Sequence, residues 1–190
     1  MVVSVDVGEF SEAARALGRL TEISKGKMLD VEVVEHIVDA ATRAPDTTTE
    51  SGRNEGLIRH MGNLFDRTIL PALSSDSPDA IATTVRVQRA YAKLLTSQSR
   101  WSEALQAHLV AYHAAVGDVN TTEQWRDAVK ELNDIVDMIG NFGPRIEEVD
   151  GKKWKFQCKS LIRAFMGKYR ADYEDEPEWE SVKAMLEDLK

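Results

Sequence analysis

Apolar residues recur at intervals of three and four along nearly the whole chain. The first run contains Phe10, Ala13, Leu17 and Leu20, which lie on one face of an α-helix. The same spacing predicts further helices over about 30–43, 57–70, 79–97, 100–115, 121–143, 152–170 and 177–189. No window alternates apolar and polar residues between turn signals, as a half-buried strand does. The pattern predicts an all-α protein.

Short polar signals mark the ends of one of these helices. Thr121 and Gln124 have the spacing of a capping box, in which each side chain bonds a backbone N–H of the other residue. Gly140, Gly143 and Pro144 follow in the same pattern, and both residue types commonly end helices. We therefore expect this helix to begin near 121 and to end near 143.

Two stretches, "GEFSEA" at 8–13 and "SRWSEA" at 99–104, share one arrangement of residues. Each has a small residue, an aromatic residue two positions later and an alanine three positions after that. This is typical of the second helix of a tetratricopeptide unit, where the small residue allows a tight turn and the aromatic ring fills the gap between paired helices. "RVQRAYAKLLTSQ", 86–98, supplies the first helix of the second copy, whereas the first copy lacks one. We expect a piece of a longer protein whose first repeat is truncated.

These elements predict two parts. Residues 1–117 are expected to form tetratricopeptide-like repeats, as antiparallel helix pairs in a right-handed solenoid fragment. Residues 118–190 are expected to form C-terminal helices, with a basic helix and an acidic end.

The chain also resembles a known family. "VSVDVGEFSEAARALGRLTEI", 3–23, is similar to the start of the C-terminal part of the tetratricopeptide-repeat protein 27 family, and "WSEALQAHLVAY", 101–112, resembles its fungal members. The resemblance implies a non-enzymatic helical-repeat adaptor. The family has been linked to chaperone-assisted assembly, including maturation of spliceosomal ribonucleoproteins, and it has no catalytic motif to carry over.

The chemistry-bearing residues have no catalytic or metal-site spacing. His36, His60, His108 and His113 are the four histidines, and none has a second ligand at the spacing of a zinc site. There is also no phosphate-binding glycine loop, dinucleotide fingerprint or nucleophile elbow. We therefore expect no catalytic residues, metal, cofactor or small-molecule substrate. His108 is predicted to be a packed side chain of its helix.

Composition limits the cellular setting. The net charge of -8 disfavours general coating of nucleic acids, and no apolar run is long enough to span a membrane. Cys158 is the only cysteine, which fits a reducing compartment, and we expect it to be a small buried hydrophobe. For most of the four tryptophans we expect packing in the core or between helices; they are Trp101, Trp125, Trp154 and Trp179. The expected location is the cytoplasm, with the nucleus as a second location.

Two sets of cations are candidate binding sites. Arg86, Arg89 and Lys93 share one helix face and are predicted to line the concave groove of the repeat, where they would attract an acidic partner segment. The alternatives are a solvated face or pairing with acids on the neighbouring helix.

The second set lies on the helix over 152–170. Its members share one arc of the helix, with no acid between them: Lys152, Lys155, Lys159, Arg163 and Arg170. They would bind RNA phosphates or an acidic protein, unless the acidic stretch "DYEDEPEWE", 172–180, folds back and neutralises them.

The pattern and the resemblance together predict a non-catalytic protein-interaction scaffold. Its expected role is that of an adaptor or co-chaperone in the assembly of protein or ribonucleoprotein complexes, with acidic segments or ribonucleoprotein assembly factors as partners and no membrane contact. The alternative is an RNA- or ribonucleoprotein-binding module that uses the basic helix 152–170.

Overall fold

The computed structural model describes residues 31–42, 62–70, 78–117 and 119–189. The elements in these ranges are α1 (Val31–Thr42), a short π-helical segment (Phe65–Ile69), α2 (Pro78–Ser97), α3 (Trp101–Gly117), α4 (Thr122–Asp150), α5 (Trp154–Tyr173) and α6 (Glu178–Asp188). No strand occurs within them, which confirms the prediction of an all-α chain. The helix predicted around Phe10, the first repeat copy at 8–13 and His60 lie outside the described residues.

The chain divides into two compact units between Arg100 and Trp101. The sequence analysis predicted a later boundary, at 117, between tetratricopeptide-like repeats and C-terminal helices. That boundary separates two kinds of helical structure, and it stays a prediction. In the first unit α1 packs on α2. Val34 and Val38 of α1 are buried one turn apart, so α1 presents an aliphatic stripe to the core.

The π-helical segment packs against α2 through an aromatic pair. The rings of Phe65 and Tyr91 are stacked with their centroids 4.8 Å apart. The Tyr91 hydroxyl donates to Asp66 Oδ1 at 2.7 Å, so the polar end of this buried ring is satisfied.

Helix α2 ends in the tight turn that the "SRWSEA" pattern predicted. Ser99 has a φ of 58°, in the left-handed region. The Arg100 N–H donates to Leu95 O at 3.0 Å and the Ser99 N–H donates to Thr96 O at 3.0 Å. These two bonds form a Schellman motif, which satisfies carbonyls that the helix end would otherwise leave open.

The second unit consists of α3 to α6. Helix α4 contacts α3, α5 and α6, and α5 also contacts α6. Trp125 of α4 lies at the centre of an aromatic cluster: its ring stacks on Tyr173 at 4.9 Å and lies 6.4 Å from Phe165 and 6.5 Å from Trp179. Trp125 is fully buried, as the core prediction expected, and Trp154 and Trp179 are buried too.

Both ends of α4 were predicted, one correctly and one wrongly. Thr121 is the N-cap, and its hydroxyl accepts from the Gln124 N–H while the Gln124 side chain accepts from the Thr121 N–H, which confirms the capping box. The predicted stop near Gly143 is wrong, because the helix runs through Pro144 and ends at Asp150. The C-cap is Gly151, whose φ of 71° suits glycine and whose N–H donates to Glu147 O at 2.9 Å.

Tertiary packing on both sides of Pro144 explains why α4 continues. Ile139 and Ile146 are buried, so the apolar stripe continues past the proline. Phe142 stacks on Trp101 of α3 at 5.5 Å, and the Arg145 guanidinium lies 4.7 Å from the centre of the same indole ring. Proline removes one backbone donor, but it lies on the exposed side of the helix, where water can satisfy the freed carbonyl.

Candidate partner-binding site

The cations predicted to line the groove of α2 are close to acids of α1. The Arg86 Nε donates to Glu35 Oε1 at 3.0 Å, and the Lys93 Nζ donates to Asp39 Oδ1 at 2.6 Å. Glu35 and Asp39 are one helical turn apart and therefore lie on the same face of α1. Pairing with acids on the neighbouring helix, one of the alternatives, is therefore observed at Arg86 and Lys93.

This pairing reduces the free energy that an acidic partner could gain by binding the α2 cations. Arg89 is half-buried and also interacts with other groups of the protein. The two ion pairs are about half-exposed, and pairs of this kind contribute about 0–1 kcal/mol each. An acidic partner would have to displace Glu35 and Asp39 from Arg86 and Lys93, so its net gain at this face would be small. Partner binding by the α2 cations stays a prediction.

The central cations of α5 have a different environment. Lys155, Lys159 and Arg163 follow one another at one-turn intervals along the helix. Among the described residues, no carboxylate forms an ion pair with any of these three side chains. Lys155 and Arg163 are exposed and Lys159 is half-exposed. Within the described part of the chain, three positive charges along one face therefore have no carboxylate partner.

The two outer members of the predicted basic set are engaged locally. The Lys152 ammonium lies 5.2 Å from the centre of the Trp154 ring. The Arg170 Nε donates to Glu174 Oε2 at 2.7 Å, and this hydrogen bond raises the pKa of Arg170 above its ordinary value. The predicted neutralisation by the acidic stretch is thus observed at Arg170.

Two further acids of this stretch pair with α4. Arg126 of α4 pairs with Glu176 at 2.8 Å and with Glu178 at 2.9 Å. Arg126 holds these two carboxylates, and neither forms an ion pair with the central cations of α5. Fold-back neutralisation of the whole basic helix is therefore not what the described residues show.

Sequence reasoning missed an aromatic side chain on the same helix. Phe156 is 70% exposed, and it precedes Lys159 and Arg163 by three and seven residues. It lies two residues after buried Trp154, about 200° around the helix axis and so opposite the buried stripe. This position around the helix axis is the sequence signal from which the exposure of Phe156 could have been predicted. We call Lys155, Phe156, Lys159 and Arg163 the basic aromatic face.

The remaining candidate residues are inert or packed. Cys158 is buried, as predicted, and burial raises the pKa of its thiol to about 11, so the less reactive neutral form dominates at physiological pH. Burial also raises the pKa of Tyr112. His113 is exposed near the end of α3, whereas His108 is buried, as its predicted packing position requires. None of the described helices has the length and apolar character needed to cross a bilayer.

The chain is similar to curated proteins from two yeasts. It is 29% identical to a TPR repeat-containing protein of Schizosaccharomyces pombe over 201 residues, which cover 100% of this chain and 23% of that protein. It is 26% identical to the Saccharomyces cerevisiae protein named Essential for maintenance of the cell wall protein 1 over 196 residues, 96% of this chain and 20% of that protein. The chain therefore spans about a quarter or less of the relatives it matches.

No protein-family model matches the chain, and no solved structure matches it. The name of the Schizosaccharomyces pombe relative and the all-α fold of the described residues both fit an array of helical repeats. Arrays of this kind generally serve as non-enzymatic scaffolds for protein interaction.

Proposed function

We propose that this chain is part of a protein-interaction scaffold and that its basic aromatic face binds an acidic segment of a protein partner. The observation that carries the proposal is the exposed Phe156 beside three cations that have no carboxylate partner among the described residues. Its wider role, by resemblance to the tetratricopeptide-repeat protein 27 family, is that of an adaptor in complex assembly in the cytoplasm or nucleus.

The charges favour an acidic partner. Uncompensated cations spaced along one helix face attract acidic segments from a distance and orient them on arrival. The chain as a whole carries a net charge of -8, so a positive face stands out from its surroundings. Binding there is expected to weaken as salt rises, because the Debye length shrinks from about 10 Å at 0.1 M to about 3 Å at 1 M.

The exposed phenyl ring favours a protein partner with an apolar anchor. A large aromatic side chain that loses its water on binding is the usual kind of residue that dominates an interface. Cations around the ring would place acidic side chains of the partner on both sides of that anchor. The predicted partner motif is therefore an apolar or aromatic residue flanked by Asp and Glu.

Single-stranded RNA is the second candidate ligand, because an exposed aromatic ring next to cations can stack a base and hold its phosphates. A labelled acidic peptide with one central aromatic residue and a labelled single-stranded oligonucleotide distinguish the two. Each is titrated with the whole chain at several salt concentrations. We expect saturable binding of the peptide and weaker binding of the RNA; preferential binding of the RNA would establish the second candidate instead.

Matched triple variants test the face itself. Replacing Lys155, Lys159 and Arg163 by Glu changes the net charge by the same amount as replacing Lys130, Lys168 and Lys183, which are exposed elsewhere in the second unit. We expect the first triple variant to bind the peptide more than about a hundredfold more weakly than the wild-type chain, since close charge pairs couple by about 1.5 kcal/mol or more each. The affinity of the second variant should fall far less. Equal losses would show an effect of overall charge and would contradict the proposed site.

A further inference from the structure

A buried group of metal-binding side chains lies between α3 and α4, away from the basic aromatic face. His108 of α3 is 8% exposed and Glu131 of α4 is fully buried. Asp134 follows Glu131 by three residues on the same side of α4. One potential ligand atom from each of these three residues lies within 4.8 Å of the other two.

The geometry at the centre of this group is close to that of a metal site. The His108 Nδ1 lies 3.7 Å from the Glu131 Oε2, which is too long for a hydrogen bond. Two ligands bound at about 2.0–2.1 Å to a tetrahedral ion are about 3.3 Å apart, so a small movement of either side chain brings both into range. Among the described residues, the buried His108 Nδ1 has no hydrogen-bond partner.

The charge of the site is compatible with a cation. A carboxylate as deeply buried as that of Glu131 is costly unless a positive charge or several donors compensate it. Glu131 and Asp134 both interact with other groups as well. Such contacts are compatible with metal binding, because a carboxylate that binds an ion through one oxygen commonly uses the other to fix its orientation.

The ligand set indicates the class of ion. Imidazole nitrogen suits zinc and neighbouring transition metals, whereas magnesium and calcium prefer sites made of oxygen alone. One nitrogen and two carboxylate oxygens balance the charge of a divalent ion, and a water molecule can complete four-coordination.

We propose that His108, Glu131 and Asp134 bind one divalent transition metal ion of the zinc class. The ion joins α3 to α4. The site is independent of the basic aromatic face, and its function is to stabilise the second unit. Sequence spacing did not predict it, since His108 is 23 and 26 residues from its two partners.

The test uses the whole chain, stripped with a chelator and then titrated with zinc chloride by calorimetry and thermal unfolding. We expect one zinc ion per chain and a rise in Tm that saturates with zinc, because a ligand that binds only the folded state stabilises it. Cobalt(II) is expected to give the visible absorption of a four-coordinate ion. The absence of saturable binding would overturn the proposal.

Two matched pairs of variants locate the site. Asp134→Asn and His108→Gln remove ligands, whereas Asp137→Asn and His113→Gln change exposed residues of the same helices. The first pair is expected to weaken zinc binding at least about tenfold, the loss typical even of residues that only support a ligand, and the second pair to leave it unchanged. If His108→Gln fails to fold, the zinc affinity of Asp134→Asn alone tests the assignment of the ligands. Zinc binding that persists in Asp134→Asn at wild-type strength, or a preference for magnesium, would overturn the assignment.

Discussion

Helices α2 and α5 each carry a row of three cations spaced by three or four residues along one face, and the surroundings of the two rows differ. On α2, Arg86 and Lys93 are met by Glu35 and Asp39 of α1. On α5, no described carboxylate pairs with Lys155, Lys159 or Arg163. The charge pattern of a single helix therefore does not distinguish a cation that stabilises the fold from one that is available to a partner. The acids of the neighbouring helix make that distinction.

The comparison depends on which side of α5 faces the core. The reactivity of Cys158, which lies on the buried side of α5, measures this. Its thiol, with a pKa raised by burial to about 11, should be alkylated at pH 8 at least about a hundredfold more slowly in the native chain than in the denatured chain. The folded state favours the neutral thiol, so this contribution to stability is complete below the ordinary thiol pKa and is lost as pH rises toward 11. Iodoacetamide labelling followed by mass spectrometry measures the rates.

Rapid labelling of native Cys158 would mean that the buried stripe of α5 is exposed and that the basic aromatic face is not where the structure places it. Alkylation in denaturant provides the control for reagent activity.

The contribution of the aromatic ring is the next largest effect. Phe156→Ala is expected to weaken binding of the acidic peptide by about 2 kcal/mol, close to thirtyfold, because truncation of an interface anchor costs about this much. Stability should change by no more than about 0.5 kcal/mol, since the ring is mostly exposed. Val110→Ala on α3 is the control, because Val110 is also an exposed apolar residue. If the wild-type chain, Phe156→Ala and Val110→Ala bind the peptide with equal affinity, Phe156 is not part of the binding site.

Charge reversal at one cation of each helix tests the comparison directly. Arg86→Glu places a carboxylate against Glu35 and should destabilise the chain by about 1–2 kcal/mol, through loss of the pair and repulsion. Arg163→Glu should change stability by less than about 0.5 kcal/mol. Denaturant titration measures both, and the double variant Glu35→Arg with Arg86→Glu should recover part of the loss. If Arg86→Glu and Arg163→Glu lower the free energy of unfolding by similar amounts, the α2 cations are no more important for stability than the α5 cations, which contradicts the comparison.

The end of α2 gives the smallest effect. Ser99 holds a left-handed backbone conformation with φ 58°, whereas glycine holds the corresponding position after α4 with φ 71°. Ser99→Gly should stabilise the chain by about 0.5–1 kcal/mol, because glycine adopts this conformation without the steric cost of a Cβ atom. Thermal unfolding checks this, with Ser160→Gly in the middle of α5 expected to destabilise by a similar amount. A lower Tm for Ser99→Gly would show that the turn carries no such strain.

Local chemistry in the sequence was enough to determine the helices and several of their ends. The apolar period predicted the all-α fold, the pair Thr121 and Gln124 predicted the start of α4, and the small residue Ser99 predicted a tight turn. These features depend on residues within one or two turns of each other, so neighbouring residues carry the full signal. The exposed position of Phe156 was also readable, since it follows from the helical period.

Only the tertiary structure decided the features that depend on distant residues. Helix α4 continues through Pro144 because Trp101 of α3 packs on residues at either side of the proline. The pairing of Arg86 depends on an acid 51 residues away, and His108 meets Glu131 only because α3 packs on α4. Whether a charge is compensated, or three ligand atoms converge, depends on the few ångströms between packed helices, and electrostatic and coordination energies change steeply over that distance.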